Sequence, residues 1–123
     1  MESAFKQLGI RRDQWHLFCI KWEKKYNFFK RLAFGCRSSP IIFDHLSRAI
    51  CWIASNVFKV KCIFHLSDDF LISCAERTMA LMTTLFKRLN ILLARHKVVG
   101  PSTVIQYLVI ILNTERNGGP FAT

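Results

Sequence analysis

Two carboxylates stand side by side inside an apolar run, and this constrains the chain more than any other feature. The stretch is Phe64-His-Leu-Ser-Asp-Asp-Phe-Leu-Ile72. Val60, Ile63, Phe64 and Leu66 precede the acids, and Phe70, Leu71 and Ile72 follow them. Residues this apolar need burial, while adjacent carboxylates resist it. Two short strands meeting at a Ser-Asp-Asp turn satisfy both demands, with the apolar residues buried and Asp68 and Asp69 at the tip. Neighbouring carboxylates repel each other, and a divalent cation between them relieves the repulsion. Oxygen donors of this kind suit Mg2+ or Mn2+. The plain alternative is a solvated turn, since Asp is a common turn residue.

The rest of the composition narrows the setting. Lys and Arg number 18 against 8 Asp and Glu, a formal net charge of +10, so the surface attracts polyanions, nucleic acid first and anionic membrane second. The basic residues run along the whole chain, which fits a groove tracking a phosphate backbone better than an address signal. With 51% hydrophobic residues in 123, the composition excludes a disordered chain and allows one modest core. The longest uncharged apolar stretch, Ala49 to Phe58, is too short to span a bilayer. Cys19, Cys36, Cys51, Cys62 and Cys74 are odd in number and lack C-x-x-C spacing. With no apolar leader after Met1, they read as reduced, mostly buried thiols of an intracellular chain. Cys62 and His65, with Cys51 or Cys74, form only a weak zinc pattern, because residues three apart on a strand face opposite sides.

Along the chain, Met1 to Phe5 reads as the end of an element. His16 to Trp22 and the aromatic-rich Tyr26 to Leu32 form a hairpin around Glu23-Lys-Lys25. Ala33 to Pro40 is a loop in which Ser38 or Ser39 can cap a helix that Pro40 opens. That helix spans Ile41 to Ser55, with Phe43, Leu46, Ile50 and Ile53 inward and Asp44, Ser47 and Arg48 elsewhere. Lys59 to Leu66 leads into the acid pair and Phe70 to Ile72 out of it. A second helix, Ala75 to Leu89, carries a Met79, Met82, Phe86, Leu89 stripe that packs a core. Asn90 to Lys97 reads as a short return strand, and Val104 to Leu112 as a strand apolar enough to be buried. Asn117-Gly-Gly-Pro120 ends in a flexible tail. The fold class is α+β, with two helices on one face of a largely antiparallel sheet.

In this order the blocks resemble the palm domain of reverse transcriptases, in particular those of the tyrosine-recombinase (DIRS-like) retrotransposons. The resemblance runs from Met1 to about Thr114, a partial palm domain over residues 1–114 with a tail over 115–123. Glu2-Ser-Ala-Phe5 resembles the end of the family's first motif, an Asp followed shortly by Ala and an aromatic residue. By that match Phe5 is the ring beneath the nucleotide sugar. Arg31 to Phe43 resembles the Leu-Pro-Phe-Gly-Leu…Ser-Pro…Phe block, which assigns Gly35, Arg37, Ser39 and Pro40 to the template and incoming nucleotide. His65-Leu-Ser-Asp-Asp-Phe-Leu71 resembles the metal-binding Tyr-x-Asp-Asp block with Leu for Tyr. Leu89 to Lys97 resembles the segment whose Lys lies near the leaving pyrophosphate, here Lys97. Gln106 to Thr114 resembles the primer-gripping hairpin.

The resemblance implies an RNA-directed DNA polymerase that joins deoxynucleotides on an RNA or RNA–DNA primer–template, with two Mg2+ or Mn2+ ions held by three carboxylates. Asp68 and Asp69 are two of the three. Counting back from Phe5, the first-motif Asp falls before Met1, and Glu2 is a poor substitute. Ala33 stands for a Pro, Val109 for a Gly and Asn113 for an Asp, and the segment after Ile72 is short. The chain therefore reads as a truncated, catalytically crippled copy. A non-catalytic basic nucleic-acid-binding remnant and an unrelated small basic interaction domain are the alternatives.

Overall fold

The computed structural model describes residue 1, residues 3–73 and residues 76–115. The readings made for Glu2, Cys74, Ala75 and the Asn117–Pro120 tail lie outside the described residues.

Three antiparallel hairpins and two α-helices alternate. β1 (Cys19–Trp22) pairs with β2 (Lys25–Phe28), and α1 (Ser39–Asn56) follows. β3 (Ile63–Leu66) pairs with β4 (Asp69–Ile72), and α2 (Glu76–Arg88) follows. β5 (Val104–Tyr107) then pairs with β6 (Ile110–Asn113). The α+β class holds, but the strands form three separate two-stranded sheets and not one continuous sheet. Each hairpin closes through a two-residue loop, and such a loop needs left-handed backbone to match strand twist. Glu23 and Lys24 supply it in the first loop (φ 45° and 65°), Ser67 in the second (54°) and Leu108 in the third (58°).

α1 forms because its inward positions recur at three- and four-residue spacing. Ser39, Phe43, Ser47, Ile50 and Ala54 make one buried row. Ser47, expected on the outer face, is in that row. A small hydroxyl fits where the helix meets a backbone, and it donates to the Ser67 carbonyl at 2.7 Å. Neither serine caps the helix through its side chain. Ser38 occupies the cap position without such a bond, and the Ser39 hydroxyl donates to the Ala33 carbonyl at 2.7 Å.

The core lies between the helices and the second hairpin. Ile50, Ala54, Val60, Met82, Leu85 and Phe86 are its buried residues, with Ile63, Phe70 and Ile72 packed on it. Phe70 meets Phe86 edge-on, with ring centroids 5.6 Å apart. Phe64 and Leu66, expected inside, are exposed, because strand alternation turns only Ile63 and His65 inward. On α2, Leu85 takes the inward place expected of Leu89, which is exposed.

Two further expectations fail downstream of α2. Asn90–Lys97 is not a strand; its end is a short 3-10 turn at Arg95–Lys97. Its irregular backbone is held by Gln7, whose side-chain amide donates to the Leu92 carbonyl at 3.0 Å and accepts from the Leu92 N–H at 2.9 Å. The segment Val104–Leu112 is not one buried strand but most of the third hairpin, and β6 is exposed throughout. The cysteines are also more open than expected: Cys19 and Cys62 are exposed, Cys36 and Cys51 half-buried, and all four are thiols.

Candidate active site

The acid pair sits at the tip of the β3–β4 hairpin. Ser67 and Asp68 form the loop, and Asp69 opens β4 opposite Leu66. Asp68 is half-buried and Asp69 exposed. Among the described residues neither carboxylate joins an ion pair: the three such pairs involve Asp13 and Asp44. Two adjacent carboxylates without a Lys or Arg partner among the described residues are available to a cation from solution.

Three contacts fix the backbone of the turn from different parts of the chain. From α1, Ser47 holds the Ser67 carbonyl. From the start of the chain, the Met1 ammonium donates to the Asp68 carbonyl at 3.1 Å. From β5, the Tyr107 hydroxyl donates to the Asp69 carbonyl at 3.3 Å. Burial, and then the Asp69 charge, raise the Tyr107 phenol above its usual range, while a hydrogen bond with the Leu66 backbone works the other way. The phenol thus remains a donor toward the turn at neutral pH.

The other residues assigned by the resemblance divide into two groups. Phe5 is half-buried and packs edge-on against Phe34 at 4.8 Å and Phe43 at 5.2 Å. It therefore joins the loop to α1, one helical turn from Ser47. Gly35 has φ +86° with open space where a side chain would be, a conformation that glycine adopts without steric cost. Ser39 is buried in its bond to the loop, and Pro40 is exposed in the first turn of α1. Arg37 is exposed, with no hydrogen bond or ion pair among the described residues. Lys97 is exposed on its 3-10 turn and, with Asp69, Phe70, Met82 and Tyr107, lines a cavity of about 280 Å3 between the second and third hairpins and α2. One acid and the Lys assigned to the leaving group thus share a cavity, while Phe5 packs on the loop and on α1.

Sequence reasoning missed Ser47, Tyr107 and Gln7. For Ser47 a signal existed: it falls four residues after Phe43 and eight after Ser39. A polar residue on an apolar stripe can mark a backbone it must satisfy. Tyr107 and Gln7 act across 38 and 85 residues, and no local pattern reports that.

The donor chemistry of the turn fits a hard divalent ion, since Mg2+ is commonly bound by one or two carboxylates with water and substrate phosphates completing its shell. Among the described residues no group of three His, Cys, Asp or Glu is placed to hold an ion. This also leaves the Cys62–His65 zinc pattern without a third described ligand. Among the described residues no helix is long and apolar enough to cross a membrane. No protein-family model matches this chain, and no curated protein matches it.

Proposed function

We propose that this chain is a palm-type portion of a reverse transcriptase, with Asp68 and Asp69 as the carboxylates that would hold Mg2+ or Mn2+. The observation that carries the reading is the acid pair at a hairpin tip, without an ion-pair partner among the described residues, its backbone held by Met1, Ser47 and Tyr107. Bound there, the ions would supply charge neutralisation at a reacting phosphate and a more acidic primer hydroxyl. The chain's own residues have narrower tasks. Asp68 and Asp69 supply oxygen donors. Phe5, wedged between Phe34 and Phe43, offers a rigid ring for the floor of a nucleotide site. Lys97, sharing the cavity with Asp69, offers a cation to a leaving pyrophosphate. The net charge of +10 favours an RNA or RNA–DNA primer–template, held through its phosphates and without sequence preference.

Among the described residues the turn brings Asp68 and Asp69, fewer carboxylates than the family's chemistry asks for. An ion held by fewer ligands binds more weakly and positions the reacting groups less well, and misplacement of about 1 Å costs on the order of 100-fold in rate. The chain alone is therefore expected to bind Mn2+ weakly and not to extend a primer. Mn2+ titration followed by electron paramagnetic resonance tests the site: binding should vanish in the Asp68→Asn, Asp69→Asn double variant. Undiminished binding removes the reading. Clear extension of oligo(dT) on poly(rA) above an Asp68→Ala control overturns the expectation of inactivity.

A further inference from the structure

We propose that the face of the β1–β2 hairpin bearing Tyr26 and Phe28 binds a single nucleic-acid strand, at a site separate from the acid turn. Cross-strand partners share a face, and the register pairs Cys19 with Phe28 and Lys21 with Tyr26. Two aromatic rings and an ammonium group therefore stand together on one side of the ribbon. Every residue of both strands is exposed, with Tyr26 at 64% and Phe28 at 52%, so this face is not committed to the core. Lys21 places its ammonium 5.6 Å from the Tyr26 ring centroid. Beside the ribbon the pattern repeats: the Lys30 ammonium is 5.1 Å from the Trp15 ring and the Arg12 guanidinium 6.0 Å from it.

Rings at alternate positions of one strand lie about 7 Å apart on the same face. Sheet-borne rings of this kind stack successive bases in single-strand RNA recognition, and every base has a face to offer. The cations supply the second half of the recognition. Residues 11–31 contain seven Lys or Arg against two acidic residues, and Arg11 neutralises one of the two, Asp13, at 2.9 Å. Such a surplus repels a second copy of the same hairpin and attracts a phosphate chain. An anionic vesicle also answers to charge and to interfacial rings, and the test below separates it from a nucleic-acid strand. The geometry needs nothing from Asp68 or Asp69.

Fluorescence anisotropy of a labelled oligo(rU) of about 12 nucleotides, titrated with the full chain, tests the proposal. The Tyr26→Ala, Phe28→Ala double variant should bind at least about tenfold more weakly, in line with the loss of two stacking rings. Tyr26→Leu, Phe28→Leu keeps strand-compatible apolar side chains, should leave the far-ultraviolet circular dichroism unchanged and should show the same loss. Trp22→Ala, on the opposite face, should retain wild-type affinity within about twofold, by the same stacking argument. Ring-deleted chains that bind as well as wild type overturn the proposal. So does equal affinity for an abasic strand of the same length. Binding to phosphatidylserine–phosphatidylcholine vesicles without binding to oligo(rU) overturns it too, as does a ring-dependent dimer in its place.

Discussion

The second and third hairpins are built from similar apolar residues around loops of equal length, and they end in opposite environments. Ile63, Phe70 and Ile72 of β3 and β4 pack on the buried cluster of the two helices. In the third hairpin Val109 is 93% exposed and Ile111 70%. The difference lies in what each ribbon meets. The β3–β4 ribbon meets Phe86 across an edge-on contact and is tied at its tip to α1 by Ser47. The β5–β6 ribbon reaches the rest of the molecule through Tyr107 and half-buried Ile105. Apolar content alone does not bury a strand; a partner surface does.

The comparison can be broken first at Phe86. Phe86→Ala removes the ring beneath β4 and opens a cavity, so it should cost about 3–5 kcal/mol in urea unfolding. A loss below about 1 kcal/mol would show that the second hairpin does not depend on this contact. On the third hairpin the matching change, Ile111→Ser, should alter stability by no more than about 0.5 kcal/mol, because the side chain already faces solvent. The same variant should elute later and more symmetrically than wild type in size-exclusion chromatography, since bare apolar surface promotes association.

The tie between α1 and the acid turn is the next largest effect. Ser47→Ala leaves the Ser67 carbonyl without its helix donor and should cost about 1–2 kcal/mol. It should also weaken Mn2+ binding at the turn while leaving the ligands themselves in place.

Tyr107 is the smallest of these effects and the one that sharpens the comparison, because it joins the two ribbons. Tyr107→Phe should cost no more than about 1 kcal/mol at neutral pH. Its pH signature is more telling. The phenol ionises less readily in the folded chain than in the unfolded chain, which therefore loses that proton first as pH rises. Stability from this group is present in full below its ordinary value of about 10 and declines as pH climbs through the raised one. Phe at this position should remove that part of the alkaline decline. Identical alkaline unfolding of wild type and Tyr107→Phe would mean that the hydroxyl does not report on the folded state.

Much of the site was legible locally. Adjacent acids between apolar runs require a turn, and Ser67-Asp68 makes it because a short polar loop can take the left-handed backbone that two-residue hairpins need. The helices were legible through their spacing: of the expected α1 row, Phe43 and Ile50 are buried and Leu46 and Ile53 are partly buried against the core. Ser47 was misjudged because polarity usually signals the outer face, whereas here a hydroxyl satisfies a carbonyl beneath it. Val104 to Leu112 was misjudged because an apolar run is ambiguous between one buried strand and two exposed ones.

By itself the amino-acid order determined the α+β class, the two helices, the first two hairpins and the acid pair at a turn. All of these follow from interactions within a few residues. Only the tertiary structure decided that the hairpins remain separate ribbons, that Met1, Ser47 and Tyr107 converge on the acid turn, and that the third hairpin lies open. Those outcomes depend on which surfaces meet across tens of residues, and the periodicity of a single segment carries no record of its partner.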